Sequence, residues 1–248
     1  LILINIHPAR AHADTQDFVI HNFSADYYLT NDDKQGSLHI VEKIDLTFND
    51  YNHGILRAIP KKYKNSQLKL KINSVKYRSV QPAKYTTYSE NGNTVLKIGD
   101  PTTTITGPQS YEIDYTLQNV VSFYETYDEL YWDINGDEWQ QKFEKVSVRL
   151  HLPTGLKLGN NETLCYAGFY GSIGNECSVT TNGNVITVST NVALDSYETL
   201  SVVVGFEKGY FAAGTWYERV QENAGLLALI FGVPLVIGGF AFRHWHKN

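Results

Sequence analysis

Apolar and polar residues alternate with a period of two through most of the middle of the chain. In SLHIVEKIDLTF, residues 37–48, Leu38, Ile40, Ile44, Leu46 and Phe48 share one face. LKLKI (68–72) alternates apolar residues with lysine. YEIDYTL (111–117) groups Tyr111, Ile113, Tyr115 and Leu117, and VSVRLHL (146–152) groups Val146, Val148, Leu150 and Leu152. TLSVVVGF (199–206) is a more continuous apolar run. Such segments predict half-buried antiparallel strands. Turn-forming stretches separate them: NDDKQG (31–36), ENGN (90–93), Gly107-Pro108 and TNGN (181–184). No stretch in this region repeats with the period of a helix. The pattern predicts an all-β domain, an antiparallel β-sandwich. No Pro- or Ser-rich linker divides it, so one large sandwich is expected over residues 14–215.

One residue breaks the alternation. Glu42 has the parity of Ile40 and Ile44, and a carboxylate on a buried face is costly unless paired. Arg57, in HGILRAIP (53–60), is the candidate partner for a buried ion pair. The alternative is a bulge at Val41 that turns Glu42 outward.

The ends of the chain change the picture from a domain to a domain with an address. Residues 224–242, AGLLALIFGVPLVIGGFAF, carry no charge. Nineteen residues at helical rise span about 30 Å, the thickness of a bilayer core. The glycines and Pro234 in this run suit lipid better than a soluble helix. RHWHK (243–247) follows and marks a cytoplasmic flank. A single transmembrane helix over 224–242 and a cytoplasmic tail from 243 to 248 are therefore expected. At the other end, LILINI precedes Ala11-His12-Ala13, a small-x-small pattern, and the sequence contains no Met. Residues 1–13 read as the remnant of a signal peptide. This topology places residues 14–215 outside the cytoplasm, at the cell membrane. Cys165 and Cys177, the only cysteines, are then expected to form a disulfide. The net charge of −5, without a basic cluster beyond KKYK (61–64), argues against nucleic acid as a partner.

Candidate chemistry concentrates in YDELYWDINGDEW, residues 127–139, which holds five carboxylates and two tryptophans. It does not fit an EF-hand loop, because Gly136 falls at the fourth position from Asp133 rather than the sixth. A looser calcium site from Asp133, Asn135 and Asp137 is an alternative. Glycoside hydrolysis needs two carboxyl groups facing a cleft, and Asp133 and Asp137 approach one another only across a turn. The reading that needs least is a hairpin closed by Asn135-Gly136 in a type I′ turn, with Trp132 and Trp139 packed on the sheet and the acids mostly facing water. Asp128, Trp132, Asp133, Asp137 and Trp139 then form a candidate surface or ligand patch. No nucleophile elbow, phosphate loop or trusted histidine metal spacing occurs, so no catalytic residue, metal or cofactor is expected. Asn22-Phe23-Ser24 and Asn161-Glu162-Thr163 match the glycosylation pattern.

An ordered set of segments carries a family resemblance. GSLHIVEKIDLTF and HGILRAIP are followed by LKIGD (96–100), YEIDYTL, DELYWDINGDEW and VSVRLHLP, then by CYAGFYGS (165–172) and VVVGFEKGYF (202–211). In this order and spacing, across residues 18–211, the chain resembles a bacterial family of predicted membrane proteins, the domain of unknown function 2207. The resemblance implies a secreted all-β domain followed by membrane helices, and it carries over no assigned activity. Two function classes follow. The first is a non-catalytic module that binds a cell-envelope component, glycan or protein, through exposed tyrosines. The second is an envelope glycan hydrolase using carboxylates of the 127–139 stretch. A third idea, a sensor acting through the membrane helix, rests on topology alone.

Overall fold

Alternating faces become strands wherever a second strand can cover their hydrogen-bonding edges. The computed structural model describes residues 17–64, 66–159, 163–174 and 176–214. The expected signal segment 1–13, the apolar run 224–242 and the tail 243–248 lie outside the described residues, as does Asn161. In chain order the strands are β1 (Phe18–Thr30), β2 (Ser37–Asn52), β3 (Gly54–Pro60), β4 (Lys62–Tyr63), β5 (Ser66–Gln67) and β6 (Lys69–Tyr77). Next come β7 (Gln81–Pro82), β8 (Tyr85–Glu90), β9 (Asn93–Gly99), β10 (Ile105–Gln118), β11 (Ser122–Phe123) and β12 (Asp128–Asp133). The last five are β13 (Val146–His151), β14 (Leu164–Gly168), β15 (Cys177–Asn182), β16 (Val185–Thr190) and β17 (Thr199–Phe206). The described residues contain no helix, and hence none long and apolar enough to cross a membrane.

An eight-stranded sheet in the order β15-β16-β13-β1-β2-β10-β6-β7 is the largest layer. A four-stranded sheet, β11-β12-β17-β14, and a three-stranded sheet, β3-β9-β8, are smaller, and β4 pairs with β5. The apolar parity of β2, β10 and β13 faces inward, and Ile40, Ile44, Ile113, Tyr115, Val146 and Leu150 are buried. They share one core with Leu130, Trp132, Val202 and Val204 of the four-stranded sheet and with Ile55, Leu96 and Ile98 of the three-stranded sheet. The anticipated turn in ENGN lies between β8 and β9, with Asn91 at φ 47° and Gly92 at φ 78°. Two positive φ values in succession are the backbone a tight hairpin demands.

One pairing departs from the antiparallel expectation. β1 runs parallel to β13, from Phe23 opposite Val146 to Tyr28 opposite His151. Alternation cannot reveal this, because parallel and antiparallel neighbours bury the same parity. The disulfide joins two edges: Cys165 in β14 borders the four-stranded sheet and Cys177 in β15 borders the eight-stranded sheet, with an S–S distance of 2.05 Å.

Candidate functional site

Burial forces Glu42 to find a partner, and that partner organises the site. Glu42 is fully buried in β2, in regular register with Ala25 and Ile113, so no bulge at Val41 turns it outward. Arg57 of β3 donates from Nε to Glu42 Oε2 at 2.9 Å and from Nη2 to Oε1 at 2.6 Å. Tyr115 Oη donates to the same Oε1 at 2.6 Å. The remaining guanidinium hydrogens reach main-chain carbonyls. Nη1 donates to Asn135 O at 2.9 Å and Ala58 O at 2.8 Å, and Nη2 to Ile134 O at 3.3 Å. Tyr27 Oη also donates to Ile134 O, at 3.2 Å. The ion pair therefore fastens the chain at 134–135 as it leaves β12.

That fastening replaces the expected hairpin. β12 pairs with β11 and β17, and among the described residues no strand returns along it after Asn135-Gly136. Gly136 has φ 75°, but Asn135 is not in the left-handed region, so the turn is not type I′. Asn135 is fully buried and spends its side chain on the start of β17: Oδ1 accepts from Leu200 N at 2.9 Å and Nδ2 donates to Glu198 O at 2.9 Å. Its carbonyl also accepts from Trp139 Nε1 at 2.9 Å. The chain then crosses to the eight-stranded sheet, touching Ile20 and Leu194 through isolated bridges at Phe143.

The acids do not mostly face water. Asp128 is fully buried and Glu129 buried, Asp133 is half-buried, and Asp137 and Glu138 are exposed. Asp128 pairs with Lys208 at 2.7 Å, opposite Phe206, at the far end of β12 from Asp133. Glu129 pairs with Lys64 at 2.5 Å. Trp132 is a core residue and Trp139 is buried against Phe143. Asp128 is thus separated from the rest of the anticipated patch, while Trp132, Asp133, Asp137 and Trp139 line one cavity of about 470 Å³. Arg57, Tyr63, Glu90, Glu138 and Tyr170 line it as well.

Asp133 is the group best placed for chemistry there. Ser201 Oγ donates to its Oδ1 at 2.5 Å and Tyr63 Oη to its Oδ2 at 3.0 Å. Burial raises the Asp133 carboxyl above the ordinary aspartate range; the two hydroxyls oppose that rise and the neighbouring Asp137 charge adds to it. Burial, and then the Asp133 charge, push the Tyr63 phenol far up. Tyr63 lies against Trp132, centroids 5.1 Å apart, and stacks on Tyr131 at 5.9 Å. Lys64 lies over Tyr131 at 4.7 Å. The sequence marked KKYK only as a basic cluster. Nothing local announces that β4 brings Tyr63 to Asp133, because the contact spans 70 residues. Tyr170, 89% exposed, reaches the cavity rim from the loop closed by the disulfide, where Phe169 and Ile173 are also exposed. The calcium alternative fails on Asn135, whose side-chain oxygen is occupied inside the fold. Among the described residues no group of three or more His, Cys, Asp or Glu could hold a metal ion.

Residues 19–206 match the family model described as predicted membrane protein (DUF2207) N-terminal domain. The chain belongs to the DUF2207 family. No curated protein matches this DUF2207 domain in sequence. Among solved structures it is similar to leukotriene A4 hydrolase from Saccharomyces cerevisiae, at 9% identity and TM-score 0.44, covering 80% of this chain and 32% of that one. It is also similar to an M1 zinc metallopeptidase from Deinococcus radiodurans, at 8% identity and TM-score 0.40, covering 77% and 42%. The DUF2207 chain spans less than half the length of either protein.

Proposed function

We propose that the chain is a membrane-anchored, extracytoplasmic β-sandwich module whose Asp133 cleft binds a component of the cell envelope, a glycan or a protein. The apolar run 224–242 supports the anchor, and the Cys165–Cys177 disulfide supports an oxidising compartment. The family's description as a predicted membrane protein supports the anchor. The observation that carries binding is the cleft itself: a half-buried carboxylate held by two hydroxyls, bordered by the rings of Tyr63, Trp132 and Tyr170. Concave sites with aromatic walls and a few fixed polar groups are what ligands use. Asp133 enters the cleft at the Ser201 end of β12, whereas the chain leaves β17 for its C-terminus at the opposite, Phe206 end.

The test is binding of the purified protein in detergent to immobilised envelope glycans and envelope-derived peptides. Saturable binding that falls at least tenfold in both Asp133→Asn and Tyr63→Phe, with melting temperature retained, supports the reading. Binding indifferent to both substitutions removes it. One observation favours hydrolysis as a second reading: Asp133, with its raised pKa, shares the cavity with Asp137. Against it, both oxygens of Asp133 already accept hydroxyl hydrogen bonds. Release of reducing ends from an envelope glycan, abolished by Asp133→Asn, would decide for the hydrolase.

A further inference from the structure

The cleft runs beside an unpaired sheet edge. Among the described residues β3 is bonded to β9 on one side and has no strand on the other. Two hydrogen bonds fix which of its residues face outward. Gly99 N–H donates to Lys84 O at 2.9 Å, so Gly99 turns towards β8 and away from its β3 neighbour Gly54. Lys61 N–H donates to Gly92 O at 3.1 Å, continuing the ladder one step past Pro60 opposite Asn93. In an antiparallel pair the N–H and C=O of one residue point to the same side, and the side alternates along the strand. Ile55, Arg57 and Ile59 therefore bond to β9, while Gly54, Leu56 and Ala58 turn their main-chain groups to the free edge. Pro60 falls in the outward set, where its missing N–H breaks no ladder bond. Arg57 Nη1 covers Ala58 O, and Leu56 is 48% exposed.

Two cavities of about 470 Å³ each lie along this edge and share Leu56, Glu138, Trp139 and Gln140. The first is lined by Glu90, Asp133, Asp137 and Glu138. Its one cation among the described residues, Arg57, is neutralised by Glu42. The second has apolar walls from Phe18, Ile55 and Ile98. Adjoining at the four shared residues, beside the outward-facing main-chain groups of β3, they offer a groove with an acidic end and a largely apolar end that has Lys97 in its lining. A free edge is the usual template for strand addition, in which main-chain bonds give affinity and pockets for alternate side chains give specificity.

We propose that this groove takes an extended peptide segment of a partner protein, which adds as a strand to β3 at Leu56 and seats a lysine or arginine among Asp133, Asp137 and Glu90. The proposal rests on the reading of the cleft as the binding site and commits that site to protein rather than glycan. The carboxylates and the exposed ring of Tyr170 suit a cationic side chain. The outward N–H and C=O of Leu56 suit another main chain.

The probes are pools of acetylated, amidated hexapeptides with one position fixed as Lys, Arg, Glu or Leu, measured on the whole chain in detergent beside a panel of envelope oligosaccharides. The expected result is binding of Lys and Arg pools, at least tenfold weaker for Glu pools and at least tenfold weaker after Asp133→Asn with Asp137→Asn. N-methylation of the best peptide should cost at least tenfold at alternate amides only. Leu56→Pro removes an N–H that the β9 ladder does not use, and should weaken every peptide at least tenfold while the melting temperature holds. If that variant does not fold, the N-methyl series decides. Peptide binding insensitive to N-methylation overturns the proposal. Oligosaccharide binding that requires Asp133, without peptide binding, overturns strand addition and leaves the cleft as a site. Binding of neither overturns both.

Discussion

Asp133 and the Glu42–Arg57 pair carry the residue-scale consequences. Because burial raises the Asp133 carboxyl, the folded state holds its proton to higher pH than the unfolded chain does. Its contribution to stability is fullest below the ordinary aspartate pKa and is lost as pH rises through the raised value. Asp133→Asn should flatten that dependence, as read from denaturation midpoints across the acidic range. Binding of a cationic probe needs the ionised form, so affinity should begin to fall, as pH is lowered, earlier than for an exposed aspartate. Glu42→Gln or Arg57→Met leaves one buried charge without its counterpart and should cost about 3–5 kcal/mol. Urea midpoints check this. The parity of Glu42 was legible in the sequence, since one carboxylate interrupts a row of apolar positions. The roles of Tyr63 and Ser201 were not, because hydroxyls on β4 and β17 meet Asp133 only through tertiary packing.

At the scale of elements, the strands were legible and their partners were not. TLSVVVGF coincides with β17, and SLHIVEKIDLTF opens β2. Asn135-Gly136 signalled a turn, which the chain makes, but the hairpin failed because Asn135 is consumed by Glu198, Thr199 and Leu200. A side chain that bonds so far along the chain leaves no local trace. Gly136→Val should still destabilise the domain, by about 1–3 kcal/mol, because φ 75° strains a β-branched residue. Arg57 Nη1, 3.2 Å from where a Cβ would stand, adds to that cost. Thermal melting checks it. Replacing Cys165 and Cys177 with serine opens a closure of 12 residues and should cost about 3 kcal/mol. The unaltered protein, unfolded without reductant, should show no reactive thiol.

For the whole molecule, the proposed topology makes a fractionation prediction. The chain should stay in the membrane pellet after alkaline carbonate extraction, and a chain ending at residue 214 should not. The alternation of apolar residues disclosed a layered β fold but gave no hint of the parallel seam between β1 and β13, whose partners lie more than a hundred residues apart. That seam has a consequence for synthesis. β1 is flanked by β2 on one side as soon as the first hairpin is made, yet its other flank stays bare until residues 146–151 have emerged. With export coupled to synthesis at ordinary elongation rates, the wait lasts on the order of ten seconds. Throughout it, the nascent sheet offers a sticky border to any neighbouring chain, so a chaperone that shields β1 should raise the yield of native protein more than one that shields β17.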